Sequence, residues 1–321
     1  MTDQEEIESP SCSSDSTDVA VRVSVVIPTF SRPAAIRSCL AALLKQTFPG
    51  DQFEIVIVDD GSPVPTELGD VGASKGSDPN HPEIRVVRQD NAGPGAARNR
   101  GVREARGQLI AFTDDDCLPL PDWLHVLVAA VDEAPQTLVG GATFNGLANQ
   151  IFSETSQLIV NMSYDHYNAN KQAARFFASN NWLCSKQQYL EIGGFDVNFR
   201  TASEDRDFCD RWLAAGWQMQ WATEANIEHR HSQHLSNFVK LHFRYGKGAY
   251  QFHTERRLRK TGHFSESLAF HLRLHRLISR AFGRYPRWTM RVRLMCAIFI
   301  MQLANTAGFV VAAFRSIGNR R

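Results

Sequence analysis

Short runs of hydrophobic residues alternate along the chain with segments of helical spacing. The segments "RPAAIRSCLAALLKQT" and "GPGAARNRGVREAR" predict helices, the first with a single apolar stripe. Because strands alternate with such helices, the pattern predicts an α/β fold with a mostly parallel sheet and helices on both faces. The predicted strands are four runs rich in β-branched residues, at 21–28, 53–62, 84–89 and 108–116, and the second and fourth of them carry acidic residues at their carboxyl ends.

The two ends of the chain depart from this central pattern. Residues 1–20 are polar and acidic with few large apolar side chains, which predicts a disordered tail. Residues 236–321 mix large apolar residues with basic ones and predict a helical extension. We therefore expect the α/β domain to occupy residues 21–235.

Hydroxyl and acidic side chains follow the predicted strands at their carboxyl ends. Thr29 ends the first strand, Asp59 and Asp60 end the second, and Asp114–Asp116 end the fourth. In a parallel α/β sheet these ends meet at one edge, where such folds bind their ligands. An Asp-x-Asp at a strand end can bind Mg²⁺ or Mn²⁺, which prefer oxygen ligands. A solvated turn is the alternative explanation for the three aspartates.

Another acidic pair, Glu204 and Asp205, opens a predicted helix that contains Phe208 and Trp212. Acids are common in the first turn of a helix because they face the positive end of its dipole. The pair alone therefore does not identify a site.

Three segments taken together resemble the family 2 glycosyltransferases. They are "VSVVIPTFSRPAAIRSCLAALLKQTFPGDQFEIVIVDDGS", "NAGPGAARNRGVREARGQLIAFTDDDCLPLPDWL" and "GGFDVNFRTASEDRDFCDRW". The resemblance implies a Rossmann-like GT-A catalytic domain at residues 21–235. It also implies an inverting transfer of a sugar from a nucleotide-sugar donor, usually a UDP-sugar, to a hydroxyl of a glycan, a lipid or a protein.

The same resemblance implies roles for individual residues. Asp205, with Glu204 beside it, matches the general base that takes the acceptor proton. Asp114 and Asp116 match the outer members of a motif that binds Mn²⁺ or Mg²⁺, and His229 is expected to complete the metal shell or contact the diphosphate. Donor contacts are expected from Pro28, Thr29, Phe30, Asp59, Asp60, Arg98, Asp114 and Asp115.

Two side-chain assignments stay open in the sequence. The segment "EHRHSQH" could instead be a surface loop, or a zinc cluster of His229, His231 and His234, because H-x-H-x-x-H is a possible ligand spacing. Trp182 could stack on a sugar of the acceptor, or it could be a core residue.

Other functions fit the motifs less well. "GPGAARNRG" lacks the third glycine of the dinucleotide fingerprint, because Arg98 stands there. A sugar-1-phosphate nucleotidyltransferase would show a Gly-rich loop with Arg and Lys after the first strand, where this chain has "PTFSRPAAI". A catalytically silent sugar- or nucleotide-binding scaffold of a membrane assembly is a further alternative. The joint presence of Asp60, Asp114, Asp116 and Asp205 argues against it.

The overall balance of 35 basic and 34 acidic residues hides a basic C-terminal part, with seventeen Lys and Arg against two acids from residue 240 onward. Such an excess predicts an anionic partner. The aromatic residues there lie in apolar runs and not between basic residues, so we expect an anionic membrane surface and no nucleic acid.

The uncharged segment 294–314 is long enough as a helix to cross a bilayer. Basic residues flank it on both sides, which favours a helix lying in the cytoplasmic leaflet over a span. A buried core or homodimer helix is the third option. The cysteines form no C-x-x-C pair and no secretory signal is evident. We therefore expect a cytoplasmic protein attached to the inner face of the membrane through residues 236–321.

Overall fold

The computed structural model describes most of the chain outside its N-terminal part. The predicted acidic tail at residues 1–20 lies outside the described residues. The described residues are 21–69, 81–200, 202–262, 272, 274–280 and 282–318.

Within the described residues, the strands form one sheet in the order β3-β2-β1-β4-β7-β6-β8-β5. In chain order the strands are β1 (Val23–Thr29), β2 (Phe53–Asp59), β3 (Glu83–Arg88), β4 (Leu109–Thr113), β5 (Cys117–Pro119), β6 (Thr137–Asn145), β7 (Asn181–Ser185) and β8 (Gln218–His229).

Helices cover both faces of the sheet and continue beyond it at the C-terminal end. Two short 3₁₀ turns, Gly50–Gln52 and Lys171–Ala173, lie in the connections. The α-helices are α1 (Pro33–Leu43), α2 (Pro94–Glu104), α3 (Trp123–Glu133), α4 (Ile151–Tyr167), α5 (Lys186–Glu191), α6 (Glu204–Ala214), α7 (Leu235–Arg259) and α8 (Trp288–Gly318).

The first half of the sheet is parallel and the second half is mixed. β1 pairs in parallel with β2 and β4, and β2 pairs in parallel with β3, which confirms the prediction for these four strands. β7 runs antiparallel to β4 and β6, and β5 runs antiparallel to β8. β6 and β8 are parallel. The sequence pattern did not predict this mixed half.

The alternation of side chains along β1 explains the two core layers. Val23, Val25 and Ile27 point into a layer formed with α1 and α3, whereas Val26 points into the layer formed with α2, α5 and α6. A side chain at Gly101 of α2 would overlap Val26, so α2 lies directly on the sheet. Both faces of β1 are therefore buried, as its continuous apolar run predicts.

The C-terminal helices form a closely packed pair. A β-carbon at Gly246 of α7 would overlap the backbone carbonyl of Asn305, and one at Gly308 of α8 would overlap the carbonyl of Phe243. The two glycines therefore let the backbones of α7 and α8 approach each other. α8 also buries Leu294, Ile298 and Met301 in a cluster with residues of α4 and with Phe238 of α7.

We expect Gly308→Ala to lower the free energy of unfolding by about 1–3 kcal/mol, because the added methyl group meets a backbone carbonyl that cannot rotate away. Helix propensity alone would raise stability by about 1 kcal/mol, so the two effects differ in sign. Urea denaturation of the purified chain would measure the change. The control Ala307→Gln, on the exposed neighbour of Gly308, should change stability by less than about 0.5 kcal/mol. A more stable Gly308→Ala variant would contradict this packing.

Candidate active site

Parallel strands bring the predicted site residues to one edge of the sheet. The register pairs Thr29 at the end of β1 with Asp59 at the end of β2. β4 lies on the other side of β1 and leads into Asp114, Asp115 and Asp116. The carboxyl ends of the three strands therefore share one cleft, as the sequence predicted.

The two acids after β2 are bound by the loops around them. Asp60 accepts hydrogen bonds from the backbone N–H groups of Ala92 and Gly93, both at 2.9 Å, and from the side chains of Gln89 and Asn91. These four donors match the acceptor capacity of one carboxylate. Asp60 therefore orders the turn that opens α2, and its contact with a nucleoside stays a prediction.

Asp59 is 1% exposed and is held in the same way. Its carboxylate accepts hydrogen bonds from the backbone N–H groups of Ser62 and Thr66 at 2.8 and 2.9 Å, and Arg88 lies 3.3 Å away. Burial alone would raise the pKa of Asp59, but the hydrogen bonds outweigh it and lower the pKa. Asp59 is thus an ionised, buried acid that fixes the loop after β2.

Asp115 joins the ends of β1 and β4. The hydroxyl of Thr29 donates to its carboxylate at 2.7 Å, and Arg32 lies 3.1 Å from the other oxygen. Burial raises the pKa of Asp115 to about 6, against the opposing charge of Arg32. Next to this pair, Pro28 is half-buried, and the ring of Phe30 is 47% exposed toward solvent.

The pairing of β5 with β8 brings a distant histidine to the aspartate motif. Cys117 stands opposite His229 in the ladder, and the backbone N–H of Arg230 donates to the carbonyl of Asp116. His229 Nε2 consequently lies 3.2 Å from Asp116 Oδ1, and Arg32 lies 2.8 Å from Asp116 Oδ2. Burial would raise the pKa of Asp116, but His229 and Arg32 outweigh it and lower the pKa.

Asp116 and His229 are suited to a divalent metal ion. Their ligand atoms and the sulfur of Cys117 lie within 4.8 Å of one another. Burial raises the pKa of the Cys117 thiol, which keeps the sulfur protonated and leaves an oxygen and a nitrogen as donors. Such a pair fits Mn²⁺ or Mg²⁺ with positions left for other ligands. Asp114, the third predicted ligand, is paired with an arginine instead.

The other histidines of "EHRHSQH" differ from His229 in their surroundings. The ring of His231 stacks on that of His229 with centroids 4.1 Å apart, and burial lowers the pKa of His231 to about 3. His234 is the residue before α7. Among the described residues, the group suited to a metal contains His229 but neither of these two. This geometry favours the metal-shell hypothesis for His229 over a zinc cluster of three histidines.

Glu204 and Asp205 open α6, as the sequence predicted. The preceding residue, Ser203, has a left-handed backbone with φ of 73°, which ends the incoming loop sharply. One oxygen of Asp205 accepts a hydrogen bond at 2.7 Å from the backbone N–H of Arg206. Both acids are thus fixed in the first turn of the helix.

Arg98 connects this helix to the aspartate motif. Its guanidinium lies 2.5 Å from Asp114 and 3.4 Å from Glu204, and the residue is only 3% exposed. The guanidinium also lies over the ring of Phe195, 5.5 Å from its centroid. One buried cation therefore pairs with an acid from each side of the cleft. The sequence expected Arg98 at the donor but gave no sign of this bridge.

The acidic pair of α6 has altered proton affinity. Burial, followed by the negative charge of Glu204, raises the pKa of Asp205 to about 7. The pKa of Glu204 is also raised, first by burial and despite the opposing charge of Arg98. A carboxylate whose pKa lies near neutrality is suited to general-base catalysis.

Trp182 is a core residue, and the structure corrects the hypothesis that it stacks on an acceptor sugar. It belongs to β7 and is 1% exposed. Its ring packs against Phe112 and stacks on Phe208, with centroids 4.5 and 5.0 Å away. Because the indole faces are enclosed by aromatic neighbours, the ring has no open face for a sugar.

Sequence reasoning also missed two side chains at the cleft. Arg32 bridges Asp115 and Asp116. It stands shortly after β1, and a basic residue at this position of the sequence could have indicated its role. Tyr245 lies in α7, where partial burial and the negative charges of Asp205 and Asp116 raise the pKa of its phenol. No local motif marks Tyr245, because its position depends on how α7 packs.

Comparisons with known proteins agree with the fold and identify the family. The family model "Glycosyl transferase family 2" matches residues 24–191, and "Glycosyl transferase family group 2" matches residues 109–313. Glycosyltransferase AglE of Haloferax volcanii is 27% identical over 71% of this chain and 73% of its own length. The glucosyl-dolichyl phosphate glucuronosyltransferase of that organism is 23% identical over 70% of this chain and 74% of its own.

Other similarities are partial or concern the fold alone. The putative glycosyltransferase EpsH of Bacillus subtilis is 33% identical over 45% of this chain, and the match spans 41% of EpsH. The mannosyltransferase PcManGT from Pyrobaculum calidifontis, solved in complex with GDP-Man and Mn²⁺, superposes with a TM-score of 0.61 at 17% identity. The superposition covers 94% of this chain and 88% of PcManGT. The chain therefore shares the GT-A fold of its structural neighbours. From the family matches we conclude that the chain belongs to glycosyl transferase family 2 and that the protein is a glycosyltransferase.

Proposed function

We propose that the protein is a metal-dependent, inverting glycosyltransferase that moves a sugar from a nucleotide-sugar donor to a hydroxyl of its acceptor. A UDP-sugar is the donor class that the resemblance implies. The observation that carries the proposal is the shared arginine. Arg98 pairs with Asp114 and Glu204, so the aspartate motif and the acids of α6 line the same cleft.

The chain's own residues supply the proton transfer. Asp205 takes the proton of the acceptor hydroxyl as that oxygen attacks the anomeric carbon. The bond between the anomeric carbon and the diphosphate oxygen breaks on the opposite side, and the nucleoside diphosphate leaves. One displacement of this kind inverts the anomeric centre and needs a single base. The raised pKa of Asp205 matches this task, because a base with a pKa near the working pH accepts protons efficiently.

The donor side of the cleft is expected to hold the nucleotide and its diphosphate. Asp116 and His229 would hold Mn²⁺ or Mg²⁺, which supplies charge stabilisation for the leaving diphosphate when bound. Arg32 and Arg98 add fixed positive charge at the same place. Thr29 and Phe30 follow β1 at the cleft edge, where a nucleoside would lie.

We also propose that the protein attaches to the inner face of the membrane through α8. The helix Trp288–Ile317 is apolar and long enough to cross a bilayer, and a third of its most apolar window is buried in the protein. One face packs on α4 and α7, and the opposite face exposes Trp288, Val292, Met295, Phe299, Leu303, Val310, Phe314 and Ile317.

A helix that packs one face on its domain and exposes an apolar stripe on the other is suited to lie in the interface plane. Basic residues flank the apolar segment at both ends, which favours anionic lipids. A lipid-linked acceptor would be consistent with this attachment, and one relative is a glucosyl-dolichyl phosphate glucuronosyltransferase. The sequence expectation of a surface-lying helix therefore remains our proposal.

A screen of nucleotide-sugars tests the proposed activity. In the presence of Mn²⁺, we expect one donor class to raise the thermal midpoint by several degrees at about 100 times its dissociation constant, because a ligand that binds only the folded chain stabilises it by about 2.7 kcal/mol. Chelation with EDTA should remove the shift. The proposal fails if no nucleotide-sugar is stabilising or hydrolysed with either Mn²⁺ or Mg²⁺.

Asp205→Asn should reduce the transfer rate by about 10²–10⁴, because an amide cannot accept the proton. Donor-induced stabilisation should be unchanged, since the base acts on the acceptor. Single-turnover assays and thermal shifts would measure the two effects. The control Asp165→Asn removes an exposed acid from α4 and should keep wild-type turnover. Normal transfer by Asp205→Asn would exclude this residue as the base.

The double variant Phe299→Gln, Leu303→Gln should reduce binding to phosphatidylglycerol vesicles more than about tenfold, because two exposed apolar side chains lose their transfer into the bilayer. Flotation of the full chain with vesicles would measure this. The matched control Phe299→Leu, Leu303→Met keeps the stripe apolar and should bind as the wild type does. Equal flotation of both double variants would refute attachment through α8.

A further inference from the structure

The inner face of α7 is buried at both ends but open in the middle. Phe238 and His242 are buried near the start of the helix, and Phe252 and Arg256 are buried near its end. Tyr245 lies on the same face, at the helical spacing of three to four residues, yet it is 45% exposed. Tyr245 is therefore accessible to solvent between two buried parts of this helix face.

The middle of α7 adjoins the loop that precedes α6. A β-carbon at Gly248 would overlap the carbonyl of Ala202 and crowd the hydroxyl of Ser203. α7 therefore touches the residues that directly precede Glu204. Tyr245 stands about one turn earlier on α7 than this contact, in the part of the helix that approaches the start of α6.

The charges around the phenol agree with this location. The partial burial of the 45% exposed ring raises the pKa of Tyr245, and the negative charges of Asp205, Glu204, Asp114 and Asp116 raise it further. The phenol is therefore neutral at physiological pH and lies within the influence of both acidic groups. Its ring is the aromatic surface that α7 adds to the cleft.

His242 holds the Tyr245 ring in place. The two rings meet edge to face, with centroids 5.4 Å apart and planes at 84°. His242 in turn packs against Phe238 and lies 3.4 Å from the hydroxyl of Ser156 in α4. Burial lowers the pKa of His242 to about 4, so the imidazole is neutral and packs without a charge. One edge of the tyrosine is thus fixed while much of its surface stays accessible.

We propose that Tyr245 is the acceptor platform of the cleft, and that it stacks on a pyranose ring whose hydroxyl faces Asp205. The inference rests on the proposed glycosyl transfer and narrows the acceptor to a sugar-containing molecule. An aromatic ring binds the apolar C–H face of a sugar because stacking buries apolar surface of both rings. A small alcohol has no comparable apolar face to bury. Tyr245, in the C-terminal extension, thus takes the role of stacking on the acceptor sugar that the sequence analysis considered for Trp182.

The test compares acceptors with and without a ring. With Mn²⁺ and the donor selected by thermal shift, transfer is measured to a panel of methyl hexopyranosides and to glycerol. The wild type should prefer at least one glycoside over glycerol by about tenfold or more in kcat/KM. Tyr245→Ala should lose about tenfold of that preference through a higher KM, and Tyr245→Phe should retain it.

Controls separate this inference from the proposed function. Donor hydrolysis and acceptor preference should be equal in the wild type and in Leu258→Ala, which removes a 67% exposed residue from the same helix. If the wild type neither hydrolyses nor transfers, the proposed function fails and this inference fails with it.

If the wild type hydrolyses the donor, any of three results would contradict the acceptor role of Tyr245 without contradicting the proposed function. The wild type could show no preference for any glycoside, Tyr245→Ala could keep the wild-type preference, or Tyr245→Phe could lose as much as Tyr245→Ala. The last result would make the hydroxyl, and not the ring, the group that matters.

Discussion

A buried guanidinium between two acids holds the cleft together. Arg98 is 3% exposed and pairs with Asp114 from the sheet and with Glu204 from α6. Removing one partner of a buried ion pair costs about 3–5 kcal/mol, because the remaining charge stays desolvated. The position of the α6 acids relative to β4 is therefore tied to this one side chain. The raised pKa of the neighbouring Asp205 follows from the same desolvation.

The C-terminal helices complete the site and also carry the surface that faces away from it. Gly246 and Gly308 bring α7 and α8 into backbone contact, and Gly248 brings α7 against the loop before α6. Tyr245 consequently belongs to the helix that also packs against α8 and so supports its apolar stripe. The position of each of these helices therefore depends on the helix it packs against, because protein interiors leave little free volume.

Much of the catalytic cleft was predictable from local patterns, and several individual roles were not. Asp114, Asp116 and Asp205 were expected at one site. Arg98 pairs with Asp114 and with Glu204, the neighbour of Asp205, and the catalytic and metal-binding roles of these acids stay predictions. Asp60 was expected at the nucleoside, yet four hydrogen bonds from the loop between β3 and α2 engage its carboxylate. Trp182 was an open choice between acceptor and core, and burial decided it. A sequence shows which side chains are polar or aromatic, but not how many partners surround them.

The sequence by itself determined the alternation of strands and helices and the edge where the acids gather, because parallel strands must all end on the same side. It also determined the apolar character of α8. Only the tertiary structure decided that His229 stands opposite Cys117 and beside Asp116, that Arg98 joins two acids, and that α7 packs at Gly248 against the loop before α6. These contacts depend on strand register and helix packing between distant residues, and no local periodicity encodes either of them.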